Sequence, residues 1–295
     1  MGRSAGPYFK TKRSGRGLAI LDYDNDGDLD LFVTQYVRWS REIDLEVDFR
    51  LTGIGRAYGP PTAFRGTQCR LFRNQGDGRF ADVSAEVGVL VENPATGEPV
   101  AKALGVAPAD IDGDGWIDIL VSNDTVQNFL FHNLGDGRFE ELGTLAGIAF
   151  DRNGAATGAM GLDIAHFRND ADLGLAVGNF ANEMTALYVT QGGAMPLADE
   201  AIVEGIGPAS RQALTFGLFF FDYDLDGRLD LFQANGHLEQ EINQVQPSQH
   251  YAQPPQLFWN CGADCRASFV AVPEQRLGEL AAPLVGRAAA YADID

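Results

Sequence analysis

Apolar residues along this chain come in short runs separated by polar, glycine-rich stretches. The first four runs are GLAIL at 17–21, LDLFVT at 29–34, CRLFR at 69–73 and RFADV at 79–83. Runs of this length, rich in Leu, Val and Phe and bounded by Gly, Asn and Asp, read as β-strands. Helical periodicity is poor throughout. Asp-Gly at 77–78 and again at 136–137 lies between two such runs. That dipeptide tolerates the positive φ of a tight turn and is a strong hairpin signal. The pattern predicts a unit of four short antiparallel strands. The segment 40–64, with Gly53, Gly55, Gly59, Pro60 and Pro61, reads as a loop inserted in the first unit.

The unit recurs. LDYDNDGDLDLF at 21–32 is matched without gaps by ADIDGDGWIDILV from Ala109 and FDYDLDGRLDLFQ from Phe221. A further copy, GLDIAHFRNDADLGLAVGNF, keeps the apolar frame but has His166 and Arg168 where the others have aspartate, and Gly174 in place of the last acid. The chain ends in GRAAAYADID, where Asp293 and Asp295 read as the first two positions of another copy. Copies begin at Asp22, Asp110, His166, Asp222 and Asp293, so the spacing varies between 56 and 88 residues. That suits one supersecondary unit with variable loops. A hairpin signature follows each, as LFRNQGDGRF, LFHNLGDGRF and, more weakly, ALYVTQGGAM and QLFWNCGADC. Four-stranded units repeated along a chain mark a β-propeller, with a solenoid of stacked hairpins as the competing reading. The expected fold is all-β: a propeller of four-stranded antiparallel blades, four complete and part of a fifth, occupying the whole chain 1–295.

The polar positions inside the repeat carry the candidate chemistry. In D-x-D-x-D-G-x-x-D the acids stand at positions 1, 3, 5 and 9. Carboxylates so close repel one another unless something neutralises them. Hard cations such as Ca²⁺ take six to eight oxygens. A glycine at position 6 allows the sharp turn, and the position 7 carbonyl then faces the ion. The candidate ligands are Asp22, Asp24, Asp26 and Asp30; Asp110, Asp112, Asp114 and Asp118; and Asp222, Asp224, Asp226 and Asp230. Asp28, Trp116 and Arg228 hold position 7, a variety that makes sense if only their carbonyls are used. Mg²⁺ prefers to keep several waters, and Zn²⁺ recruits His or Cys. About three Ca²⁺ sites are expected. The degenerate loop from His166 to Gly174 is expected to be empty, with Arg168 near the cation position and paired to Asp170 or Asp172.

Charge agrees with this. The formal net charge of -19 is hostile to nucleic acid and to anionic membranes, and three divalent cations would bring it to -13. No run approaches the roughly 20 apolar residues of a membrane span. Cys261 and Cys265 are placed either for a local disulfide or as two free thiols, and Cys69 is left over. Asn123-Asp124-Thr125 is a formal glycosylation sequon. No G-x-S-x-G, H-E-x-x-H, P-loop or dinucleotide fingerprint is present. His132, His166, His237 and His250 read as loop-structural, with a site using His237 and His250 as the alternative.

The GLAILDYDNDGDLDLFV frame, the LFRNQGDGRFADVSAEVGV run, GNFANEMTALYVTQ and ANGHLEQEINQVQPSQHYAQPPQLFWN together resemble FG-GAP/VCBS-type propeller repeats. The best match is the ASPIC/UnbV, cartilage acidic protein 1-like, family. The resemblance implies a calcium-binding propeller of about seven blades, extracellular or periplasmic, with no established enzymatic activity. It implies a fragment, since the ASPIC/UnbV domain and an export signal are absent from this sequence. It fits an interaction or adhesion module for an unknown protein or glycan. The alternative is the propeller portion of an exported polysaccharide-active or redox enzyme.

Overall fold

The computed structural model describes residues 15–292. The chain is all-β, with four four-stranded antiparallel sheets following one another in sequence. Sheet one contains β1 (Gly15–Leu21) and β2 (Asp30–Gln35). It is separated from the rest of its own strands by a small ladder of β3 (Arg50–Leu51) and β4 (Gly55–Arg56), then completed by β5 (Arg70–Asn74) and β6 (Phe80–Asp82). Sheet two is β7 (Ala103–Ala109), β8 (Asp118–Asn123), β9 (Phe129–Asn133) and β10 (Phe139–Glu141). Sheet three is β11 (Leu162–Ala165), β12 (Gly174–Val177), β13 (Ala186–Val189) and β14 (Ala198–Asp199). Sheet four is β15 (Thr215–Phe221), β16 (Asp230–Asn235), β17 (Gln256–Asn260) and β18 (Phe269–Ala271). The strands expected in the first unit all form, with ends displaced by one or two residues.

The sheets pack face to face, and the core lies between them. Leu21, Phe32 and Leu71 of sheet one bury against Ile119, Val121 and Phe131 of sheet two. Leu120 and Leu130 on the other face of sheet two meet Leu175, Val177 and Tyr188 of sheet three. Ala176, Leu187 and Val189 then meet Leu218, Leu231 and Phe258 of sheet four. This explains the burial patterns. Strands covered on both faces are buried throughout, as β8 and β12 are. β2 lies in a terminal sheet and alternates buried with half-buried. The first strands β1, β7, β11 and β15 lie side by side, which makes the arrangement propeller-like. They approach so closely that a Cβ on Gly161 would come within 2.3 Å of the Phe216 carbonyl oxygen.

The chain continues past sheet four along β15 and β16. Gly286 donates to the Asn235 carbonyl at 2.8 Å, and Leu284 bridges Gln253. Residues 288–289 press on Gly217. Asp293 and Asp295, read as the opening of another loop, lie outside the described residues.

The segment 40–64 is more ordered than its glycines and prolines suggest. It holds a helix, α1 (Arg41–Val47), besides the β3–β4 ladder. Ser40 caps the helix, its Oγ accepting from the Ile43 amide at 3.2 Å, and Glu42 and Asp44 favour its N-terminal end. Arg56 reaches back to Asp44 at 2.6 Å. These are local signals that a search for apolar periodicity misses, because no residue of the helix is buried.

Candidate functional site

The three Asp-rich loops join the first and second strands of sheets one, two and four. The sequence builds each loop from its own carboxylates. In loop one Asp22 accepts from the amides of Asp26 (3.1 Å) and Gly27 (2.9 Å). Asp26 accepts from the Asp28 amide at 2.8 Å. Asp222 and Asp226 repeat these bonds in loop three, and Asp110 and Asp114 repeat their main features in loop two. Gly27, Gly115 and Gly227 take φ near +87 to +89°, the left-handed region that position 6 requires.

The position 9 acids belong to the sheet as much as to the loop. Asp30, Asp118 and Asp230 are almost fully buried. Each accepts from the amide of the asparagine that ends the third strand: Asn74 at 2.7 Å, Asn133 at 2.8 Å and Asn260 at 2.7 Å. Each also accepts from the amide of loop position 2: Tyr23, Ile111 or Tyr223. Burial pushes all three carboxyls above the usual aspartate range. Asp24 is raised too, first by burial and then by the charges of Asp26 and Asp22.

Carboxylate oxygens of Asp22, Asp24 and Asp30 converge within 4.8 Å of one another, as do those of Asp222, Asp224 and Asp230 and those of Asp110, Asp112 and Asp114. Asp26 and Asp226 stand outside their clusters, and Asp226 is held by the Arg228 guanidinium. Asp28, Trp116 and Arg228 follow these loops with amides turned onto the position 5 acid. One oxygen, Asp24 Oδ1, is buried with no hydrogen-bond partner. A buried, unpaired carboxylate oxygen beside two further carboxylates is costly unless a cation satisfies it. The donor sets of loops one and three are oxygen only. These residues therefore fit a hard divalent cation.

Sequence reasoning missed the residue before the hairpin asparagine. It faces the position 3 acid in every intact unit. Trp259 Nε1 donates to Asp224 at 3.0 Å, His132 Nδ1 lies 3.9 Å from Asp112, and the Arg73 charge acts on Asp24. His132 Nδ1 also lies 3.0 Å from Asp118. The signal was available in the aligned runs LFRN, LFHN and LFWN. The position holds Arg, His or Trp, side chains that share no single chemistry, so alignment alone does not mark it.

The degenerate loop corrects an expectation. Arg168 does not pair chiefly with Asp170 or Asp172. Its guanidinium is held by Glu200 and Glu204 from the segment that follows β14, with Asp172 at 3.9 Å. Those partners lie over thirty residues away, beyond the reach of motif reading. Asp170 instead accepts from the Asp172 amide at 2.9 Å.

Neighbouring loops are tied together. Asn25 donates to the Gly115 carbonyl (3.4 Å) and Asn169 to that of Gly227 (2.9 Å). Asn133 reaches the Tyr23 carbonyl at 2.8 Å, and Asn260 reaches that of Phe167 at 2.7 Å.

At the opposite ends of these strands lies a second polar group. Tyr36 donates to Asp124 at 2.6 Å, and Lys102 donates to the Pro61 carbonyl at 2.8 Å. Burial pushes the Asp124 carboxyl up to about 6, and burial lowers Lys102. Asn123 is fully buried and accepts from the Lys102 amide, so the sequon is not accessible for glycosylation. His237 is buried, its Nδ1 accepting from the Glu239 amide at 3.0 Å, whereas His250 is exposed. Cys261 and Cys265 form a disulfide, and Cys69 is a buried free thiol. Among the described residues no helix is long and apolar enough to cross a membrane.

The family model for FG-GAP-like repeats matches residues 63–121 and 110–177. Human cartilage acidic protein 1 is 28% identical over 175 residues, covering 56% of this chain and 24% of that protein. The mouse protein is 28% identical over the same length, covering 25% of it. The match therefore spans about a quarter of the length of these curated relatives. Among solved structures, the exotype rhamnogalacturonan lyase YesX superposes with a TM-score of 0.42 at 11% identity, over 94% of this chain and 49% of its own. A rhamnogalacturonan lyase of Bacillus licheniformis gives 0.40 at 12%, over 83% and 46%. Likenesses of that size carry no inference about activity.

Proposed function

We propose that this chain, which carries FG-GAP-like repeats and is similar to cartilage acidic protein 1, is a calcium-stabilised β-propeller segment that serves as an extracellular interaction module rather than an enzyme. The observation that carries this reading is a carboxylate cluster on the same strand connection of three of the four sheets. Positions 1, 3 and 9 converge in loops one and three, and positions 1, 3 and 5 in loop two, where Asp118 groups with Asp112 and His132. The loop one cluster includes a buried oxygen without a partner. A role in stability follows from position. In loops one and three the cluster includes the position 9 acid, which starts the second strand and accepts from the end of the third, so a cation there clamps three strands at once. The residues that would hold it are Asp22, Asp24 and Asp30 in loop one, with Asp110, Asp112, Asp114 and Asp118, and Asp222, Asp224 and Asp230, in the others. When bound, calcium supplies positive charge and no redox chemistry. The fourth loop replaces it with a resident cation, Arg168, and takes no metal. The polar group around Asp124 is engaged internally by Tyr36 and lies beside Lys102, itself held by a backbone carbonyl, which favours a structural over a catalytic role.

The test is thermal unfolding of chelated protein as Ca²⁺ is added. A ligand that binds only the folded state stabilises by about 4 kcal/mol at a thousandfold excess over its Kd. A rise in melting temperature of several degrees is expected, and an unchanged melting temperature sinks the metal reading.

A further inference from the structure

A cleft of about 440 Å³ opens between the first Asp-rich loop and the hairpin of the second unit. Its walls include Asp24, Arg73, Trp116 and Arg138. The size is that of a small-ligand site. Trp116 stands where the sister loops have Asp28 and Arg228, and what the three share is the backbone amide that donates to the position 5 acid. Its indole lies over Gly135, with Nε1 3.0 Å from where a Cβ on that glycine would lie. A side chain at 135 would crowd it. The ring forms an aromatic wall of the cleft.

Two guanidiniums share the cleft with this ring. Arg138 is surface-exposed and paired with Asp136, and Arg73 lines the cleft beside Tyr23. Guanidinium is the side chain suited to bidentate recognition of carboxylate or sulfate. An aromatic plane beside such donors matches a sugar ring bearing an anionic group. A neutral sugar would leave the guanidiniums unused, and a small inorganic anion would leave the indole unused. The acids Asp24, Glu86 and Asp136 oppose an anion, since they outnumber the two arginines. A divalent cation shared by Asp22, Asp24 and Asp30 weakens that opposition, taking the local charge from -3 to -1 when Asp22 and Asp30 are counted with the lining.

We propose that this cleft binds an acidic saccharide, with its ring on Trp116 and its anionic group on Arg73 and Arg138, when the first loop holds calcium. The proposal rests on the calcium reading above. It is tested by isothermal titration calorimetry on calcium-loaded protein freed of excess calcium by gel filtration. The probes are an alternating glucuronate/N-acetylglucosamine tetrasaccharide and, as its neutral counterpart, chitotetraose. The acidic tetrasaccharide binds, chitotetraose binds at least about tenfold more weakly, and chelation abolishes binding. Arg73→Gln and Arg138→Gln each lower affinity about tenfold, the loss of one charge-assisted contact. Arg138→Gln keeps the calcium-induced rise in melting temperature. Equal binding of the two sugars, or unchanged affinity in both variants, overturns the proposal. If calcium raises the melting temperature and the acidic tetrasaccharide does not bind, the cleft alone is misread. If calcium does not raise it, the metal reading falls and the calcium dependence of the cleft falls with it.

Discussion

At the scale of single residues, neighbouring aspartates have different work. Asp24 carries a buried oxygen without a partner, while Asp28 is exposed and follows the turn. Asp24→Asn removes a charged ligand and is expected to weaken calcium binding at loop one by about tenfold or more, whereas Asp28→Asn changes it little. Site-resolved terbium luminescence would check this, and equal losses would show position 7 to be misread. Asp124 gives a pH prediction on the far side of the sheets. Burial raises its folded pKa to about 6, above its ordinary 3.8. A raised carboxyl contributes stability that is complete below the unfolded pKa and is lost as pH rises through the folded one. That loss amounts to about 3 kcal/mol between roughly pH 4 and 7. Asp124→Asn retains an oxygen for the Tyr36 hydroxyl and is expected to flatten this part of the profile. Urea unfolding of both proteins across that range measures the difference, and parallel profiles would contradict the assignment.

At the scale of elements, what could be read from the sequence depended on how local its cause is. Strands, hairpins and the frame of the Asp loops follow from alternation and turn residues within a dozen positions, and all form. The helix α1 was passed over because its cause is a cap and charges rather than an apolar face. Of the expected partners of Arg168 only Asp172 lies within ion-pair distance, and Glu200 and Glu204 were out of local reach because they stand 32 and 36 residues further along the chain. Arg168→Gln leaves two partly buried carboxylates without their cation. A loss of about 3 kcal/mol in stability is expected, and calcium does not recover it. Denaturant unfolding with and without calcium decides this, since recovery by calcium would mean that the loop can take a metal after all. The link between units is equally concrete. Asn133 holds the Tyr23 carbonyl of loop one and the Ile117 carbonyl of its own loop. Asn133→Ala is expected to weaken calcium binding at loops one and two together and leave loop three unchanged. A loss confined to loop two would show that the units bind independently.

For the whole molecule, charge decides what calcium does. The chain carries -19, and thirteen aspartates of the three intact loops lie in short stretches along the strand connections. Like charges so concentrated oppose folding, and ordinary salt screens them over about 8–10 Å. Without calcium, monovalent salt is therefore expected to stabilise the fold. Between 20 and 200 mM NaCl the melting temperature of chelated protein should climb by some degrees, an estimate that follows from screening of surface repulsion. With calcium bound, the clusters are neutralised at contact distance, where screening adds little, and the same salt series should be nearly flat. Three bound cations still leave a net charge of -13, so some salt dependence persists, but from charges spread over the surface. The contrast separates two explanations of any calcium effect. General shielding by a divalent ion would be reproduced by magnesium and by high NaCl. A cage built from Asp22, Asp24 and Asp30 and its sister clusters requires the ion that accepts six to eight oxygens, and NaCl cannot substitute for it. Identical salt slopes in chelated and calcium-loaded protein would place the stabilisation outside the loops.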